Sequence, residues 1–116
     1  LGSNKDIAQL NTTEQIITDV QSALDAILSV QYETGCNKLI INKSCFSEDF
    51  FVLSTGIAGE ILQKFVNYHV QLAIIGDYSK YTSKPLRDFI FESNQGHAIN
   101  FLLTVDEAIA RLSRPF

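Results

Sequence analysis

Leu39-Ile40-Ile41-Asn42-Lys43-Ser44, then Phe50-Phe51-Val52-Leu53-Ser54-Thr55-Gly56-Ile57-Ala58-Gly59-Glu60-Ile61-Leu62, then Leu72-Ala73-Ile74-Ile75-Gly76-Asp77: the reading of Leu39 to Tyr78 decides the fold. The first run is apolar and short, and it ends in a polar turn, as a strand does. The second places Ile57-Ala58, Ile61-Leu62 and Phe65-Val66 at steps of three and four, which gives a helix one apolar face. The third is apolar at successive positions, which suits a strand covered on both faces of a mostly parallel sheet. Strand, hydroxyl-bearing turn, helix, strand is the repeating unit of an open α/β sheet.

The same unit repeats outward. On the amino-terminal side Ile7-Ala8-Gln9-Leu10 reads as a short strand, followed by the polar turn Asn11-Thr12-Thr13. Val20, Ala23-Leu24 and Ile27-Leu28 predict a helix, with two candidate starts. One is Thr12 with Gln15 closing a capping box; the other is Thr18-Asp19, preferred because Ile16-Ile17 then forms an extended lead-in. Gly35 is the expected C-cap. Lys38 to Asn42 is the second strand, Ser44 to Asp49 a turn, and the second helix ends near Asn67-Tyr68-His69.

On the carboxyl-terminal side Gln71 to Gly76 is the third strand and Asp77 to Ser83 a polar loop. Pro85 fits only the first turn of the next helix, with Ser83 as its N-cap. That helix buries Leu86 and Phe89-Ile90 and stops at Asn94-Gln95-Gly96. Ala98 to Leu103 is the fourth strand, Thr104 and Glu107 form a capping box, and a last helix runs through Ala108-Ile109 and Leu112 to Ser113. The expected architecture is a single four-stranded, mostly parallel sheet flanked by helices, with right-handed crossovers. One domain spans 4–116, and Leu1-Gly2-Ser3 reads as the remnant of a cleaved expression tag.

The composition narrows the function classes. The chain has 116 residues, 46% hydrophobic and 19% charged, a globular balance rather than a disordered one. A net charge of −4 gives no general attraction for nucleic acid or anionic membranes. No apolar run approaches the ~20 residues a membrane span needs. Cys36 and Cys45 flank a strand that would hold them about 30 Å apart when extended, whereas a disulfide needs Cα atoms within about 7 Å. They belong to no Cys-x-x-Cys pair or zinc set, so reduced thiols in a cytoplasmic protein are expected. No cofactor or metal motif is present in the sequence.

Two segments concentrate chemistry. Ser54 and Thr55 stand before the second helix, where a hydroxyl caps backbone N–H groups and where an anion or a phosphate is also favoured. The segment from Asp77 to Arg87 carries Asp77, Tyr78, Lys80, Tyr81, Lys84 and Arg87 within eleven residues. It follows a strand at the carboxyl end, where open α/β sheets place ligands, and its tyrosines are of the type enriched at binding surfaces. His69 and His97 lie in turns and have no partner spaced for metal or triad chemistry. Glu48 and Asp49 read as turn carboxylates. Short edges at Ile7–Leu10 and Ile99–Leu103 suggest homodimerisation, because uncovered edges invite pairing.

Ile17-Thr18-Asp19-Val20-Gln21-Ser22-Ala23-Leu24-Asp25, Tyr32-Glu33-Thr34-Gly35, Ser47-Glu48-Asp49-Phe50-Phe51, Ala58-Gly59-Glu60-Ile61-Leu62-Gln63-Lys64-Phe65 and Gly76 to Lys84 resemble the small bacterial family defined by the domain of unknown function DUF4180. That resemblance implies a bacterial source and no particular activity. Separately, Phe51-Val52-Leu53-Ser54-Thr55-Gly56-Ile57 resembles the Asp-Ser-Ser-Gly-Leu turn of STAS domains of the anti-sigma-factor antagonist type, with Leu53 at the place of the Asp. The second resemblance implies a STAS-like fold and a hydroxyl, Ser54 or Thr55, phosphorylated by a partner kinase. The expected function is a non-enzymatic regulatory or interaction module that presents the 53–60 turn and the 77–87 loop to a protein partner. The alternative is a binder or enzyme for a small anionic ligand, using Asp77, Lys80, Lys84 and Arg87.

Overall fold

The computed structural model describes residues 6–10, 12 and 14–113. The tag-like segment 1–3 and two positions of the 11–13 turn lie outside the described residues. Four strands, β1 (Ile7–Gln9), β2 (Lys38–Asn42), β3 (Gln71–Ile75) and β4 (Ile99–Leu102), alternate with helices α1 (Val20–Thr34), α2 (Ile57–Asn67), α3 (Lys84–Gln95) and α4 (Val105–Leu112). The strands lie in the order β1-β2-β3-β4 and every pairing is parallel. The fold is therefore α/β with a four-stranded parallel sheet, as the alternation of periods predicts.

Strand order explains the layers. Each crossover advances one position in the same direction, so α1, α2 and α3 all fall on one face. Ala23, Ile27 and Val30 from α1, Ile61, Leu62 and Phe65 from α2, and Leu86 from α3 close over Leu39, Ile41, Leu72, Ile74 and Phe101. α4 has no following strand to reach and returns across the opposite face, where Ala108 and Leu112 cover Ile7, Ile40, Ala73 and Ile75. β3 is buried at all five positions because it receives helices on both sides.

Most helix ends follow their caps. Asp19 caps α1, accepting from the Ser22 N–H at 2.8 Å, while the Ser22 hydroxyl accepts from the Asp19 N–H at 3.1 Å. The later of the two sequence starts is thus the one used, and Ile17 bridges to Phe46 as an extended lead-in. Gly35 closes α1 at φ 70°. Ser83 caps α3 and Pro85 sits in its first turn. In the box before α4 the Thr104 hydroxyl accepts from Glu107 N–H, and Glu107 reaches back to the Leu103 N–H.

The start of α2 differs from expectation. Ser54 does not cap it: Gly56 is the N-cap, at φ 78°, with no side-chain cap bond. The segment between β2 and α2 is wound into three short 3₁₀ turns, Lys43–Cys45, Glu48–Phe51 and Leu53–Thr55, and the last ends at Gly56. A 3₁₀ turn can swing into an α-helix along a new axis only through a left-handed residue, which glycine supplies at least cost. Ser54 is carried round to the exposed side of that turn, whereas Thr55 is the working hydroxyl. Its Oγ1 donates within reach of Val52 O (2.8 Å) and Asp49 O (3.1 Å) and accepts from Ile57 N–H (3.2 Å). Thr55→Ala is accordingly expected to cost about 1 kcal/mol and Ser54→Ala less than about 0.5 kcal/mol, read as shifts in urea midpoint. Equal shifts for the two variants would contradict this assignment.

Both cysteines are buried and carry reduced thiols. Burial raises the Cys45 thiol above its ordinary pKa, and its S–H points to Thr12 O at 3.2 Å. The edges at β1 and β4 are those read from the sequence, but β4 is sealed. The Asn94 amide accepts from the Phe101 N–H (2.7 Å) and donates to Phe101 O (3.1 Å), occupying the outer side of the strand as a neighbouring strand would. Arg111 of α4 donates in turn to the carbonyls of Asn94 and Gly96, fastening the end of α3 to α4.

Candidate functional site

The segments singled out in the sequence meet at the carboxyl end of the sheet. β2 ends at Asn42, whose side chain accepts from Ser44 N–H and starts the 3₁₀ turns. β3 ends at Ile75, and from Gly76 the chain folds back over the tops of β2 and β4. Asp77 accepts from Ser79 N–H at 2.9 Å, closing a tight polar turn. That backbone bond, ahead of the Ser79 side chain, holds the Asp77 carboxyl below its ordinary pKa. The turn is therefore favoured above the ordinary carboxylate pKa, and that contribution is lost as pH falls through the lowered one. Asp77 closes the loop's own backbone, and the charge of Lys43 acts on its carboxyl as a lesser cause of the same lowering.

Both tyrosines fold inward. Tyr78 donates to Ile74 O at 2.6 Å and packs edge-on against Phe101 with ring centroids 5.7 Å apart. Burial, with Tyr81 second, pushes its phenol far above the ordinary value, so it stays neutral. Tyr81 stacks on Phe51 at 5.0 Å. Burial and then Glu48 raise its phenol as well. Phe51 stands on Phe50, and Phe50 on Phe46, so a column of rings links the loop to the core.

A residue outside the sequence-derived set completes this arrangement. Lys43, just past β2, places Nζ 3.2 Å from the Tyr81 hydroxyl and 4.9 Å from its ring centroid. Its stem lies along Gly76, where a Cβ would come within 2.8 Å of the Lys43 Cβ. The only sequence signal for Lys43 was its place at a strand's carboxyl end, which a surface lysine shares.

The remaining cations do not converge. Lys80 pairs with Glu48 at 3.8 Å and lies over the Tyr81 ring, and Lys84 pairs with Asp88 at 2.7 Å. Arg87 faces a separate cleft of about 520 Å³ between the loop and α3, lined also by Tyr78, Ser79, Tyr81, Ile90 and Phe91. What the structure does bring together is the 3₁₀ turn and the loop. Phe51, Val52, Leu53 and Ser54 on one side and Lys80 to Ser83, Pro85 and Leu86 on the other line a groove of about 530 Å³. The floor is apolar, Val52 is 49% exposed, and the hydroxyls of Ser54, Thr82 and Ser83 stand at the rim.

Strand order also bears on what this end of the sheet can do. Ligand crevices in open α/β sheets form where the strand order reverses and neighbouring loops diverge to opposite faces. The loops after β2 and β3 both lead to the face of α2 and α3 and fill the space between them with rings, whereas the loop after β4 leads to α4 on the opposite face, so neighbouring loops diverge between β3 and β4.

An open parallel sheet wound in one direction, with a groove over an aromatic column, defines a small α/β domain. The family model described as a domain of unknown function, DUF4180, matches residues 2–112, and the chain belongs to that family. Comparisons with curated proteins and with solved structures gave no match. No described helix is long and apolar enough to cross a membrane, and no group of metal-ligating side chains occurs among the described residues.

Proposed function

We propose that this domain is a non-enzymatic interaction module of a bacterial cytoplasm that receives a protein partner in the groove between residues 51–54 and 80–86. The observation that carries the reading is the groove's make-up: an apolar floor with Val52 half-exposed, bordered by charges that already pair with each other. A partner side chain placed there gains apolar burial, while the ion pairs at the rim need not be broken. Exposed Ser54 at the rim is placed to modulate the contact, since a phosphate there would meet Lys80 and the groove hydroxyls. The buried reduced thiols support the cytoplasmic setting.

The small-anion reading keeps one observation in its favour. Lys43 is half-buried and makes no ion pair among the described residues. The two readings separate experimentally. A partner captured on the immobilised domain is titrated against wild type and Val52→Asp; a charge on the groove floor is expected to weaken it by about thirtyfold or more, the scale of a central contact residue. Unchanged affinity in Val52→Asp removes the groove from the interface. Saturable binding of phosphate, lost in Lys43→Met and untouched by Val52→Asp, establishes the anion reading instead.

A further inference from the structure

The opposite end of the sheet carries a second site that the first does not involve. Where β2, β3 and β4 begin, below the end of α2, lies a cavity of about 390 Å³ lined by Asn37, Lys38, Val66, His69, Val70, Gln71 and Ala98. That volume falls within the range of small-molecule pockets. Gln71 opens β3, is only 8% exposed, and its side-chain amide has no hydrogen-bond partner among the described residues. Its amide atoms are not sealed from solvent, and the residue lines the cavity, so water or a ligand can pair with them there.

His69 gives a second, independent indication. It is the one non-glycine residue at positive φ among the described residues, at 59°. It occupies the turn after α2 where Val70 N–H returns to Phe65 O and His69 N–H to Val66 O. Glycine is the residue that position favours, because a Cβ in the left-handed region is strained. The chain accepts that strain with an imidazole that lines the cavity. Strained residues held in place by their surroundings cluster at ligand sites.

The lining sets the ligand's chemistry. Lys38 lies beside Gln71 in register across β2 and β3, and its ammonium meets Asp6 at 3.3 Å, leaving further N–H donors. Asn37 uses its Oδ1 on the Gln31 amide at 3.4 Å, which leaves its NH₂ group as a donor. No carboxylate lines the cavity, whereas Val66, Val70 and Ala98 form apolar walls. We infer that the cavity binds a small apolar monocarboxylate, its carboxylate taken by the Gln71, Asn37 and Lys38 donors with His69 at the mouth, and its hydrocarbon body against the three aliphatic side chains.

Hexanoate and benzoate, with hexanol and benzyl alcohol as uncharged counterparts, test this by titration into the ¹⁵N-labelled full chain at roughly millimolar concentrations. The acids are expected to give saturable shifts confined to residues 37–38, 66–71 and 98. The alcohols, and the Gln71→Leu variant with either acid, should bind at least about tenfold more weakly. His69→Gly separates fold from site: relief of the left-handed strain should raise the melting temperature while acid binding weakens severalfold. Absence of saturable shifts, equal binding of acid and alcohol, or undiminished acid binding by both variants overturns the inference. The groove at the other end of the sheet plays no part in any of these outcomes.

Discussion

Gly76→Ala is expected to lower the free energy of unfolding by about 2–5 kcal/mol, combining an overpacking term with a backbone-strain term. Gly76 follows β3 at φ 154°, a conformation side chains rarely adopt, and an added methyl would meet Lys43 Cβ at 2.8 Å, Cδ at 3.2 Å and Cε at 3.3 Å. The far end of a lysine can swing away, but its Cβ is fixed by the backbone of the 3₁₀ turn that follows β2. The double variant Gly76→Ala/Lys43→Ala removes the two outer contacts and keeps the nearest one and the strain. It should therefore recover only part of the loss relative to Lys43→Ala alone. Urea denaturation with an unchanged m-value reads the difference. A Gly76→Ala protein within about 0.5 kcal/mol of wild type would show that β3 and the Lys43 turn adjust to each other, and that Lys43 is not fixed as described.

That close approach also shows why part of the site escaped sequence reading. Periodicity finds a strand ending at Gly76 and a turn beginning at Asn42, because each pattern is local. It does not say that the two ends lie within contact of each other, because that depends on β2 and β3 being adjacent and in register. Lys43 was therefore indistinguishable from a solvated lysine. Tyr78 and Tyr81 were legible as unusual for a polar loop, but not their direction. They turn inward because Phe51 and Phe101 offer rings to pack on.

Secondary structure was legible almost throughout. Asp19, Gly35, Ser83-Lys84-Pro85 and Thr104 each carry a capping signal whose physics acts within four residues. The one misplaced cap, Ser54, failed for the same reason in reverse. Ser54-Thr55-Gly56 fits an N-cap sequence, and only the 3₁₀ winding of Leu53–Thr55 moves the helix start past it to Gly56. A short apolar run followed by hydroxyls cannot distinguish a cap from a tightly wound lead-in, since both satisfy backbone groups locally. Strand order was likewise beyond the sequence. A βαβ repeat does not say which helix departs to the other face, and here α4 does, so the loops diverge between β3 and β4.

Asn94→Ala is the second large expected effect, and it concerns association as well as stability. The Asn94 amide holds both polar groups of Phe101 on the outer side of β4, at 2.7 and 3.1 Å. Losing it leaves an N–H and a C=O, partly shielded by α3, without a partner, at a cost of about 1–3 kcal/mol. It also exposes β4 as an edge whose next residues, Leu102 and Leu103, are apolar, and Leu103 is already 59% exposed. An unsealed apolar edge is a template for a strand from another molecule. The variant is thus expected to unfold at lower urea and to shift to larger species in light scattering as concentration rises. Asn94→Asp separates the two effects: its carboxylate still accepts from the Phe101 N–H but repels the Phe101 carbonyl. It should lose stability, while its charge at the edge keeps the protein dispersed. With β4 closed in the wild type, a homodimer built by edge pairing is expected to use β1, which lies at the other side of the sheet and, among the described residues, spans Ile7 to Gln9. Disruption of a wild-type dimer by Asn94→Ala, or an unchanged mass and midpoint in that variant, would mean that the amide does not guard the edge.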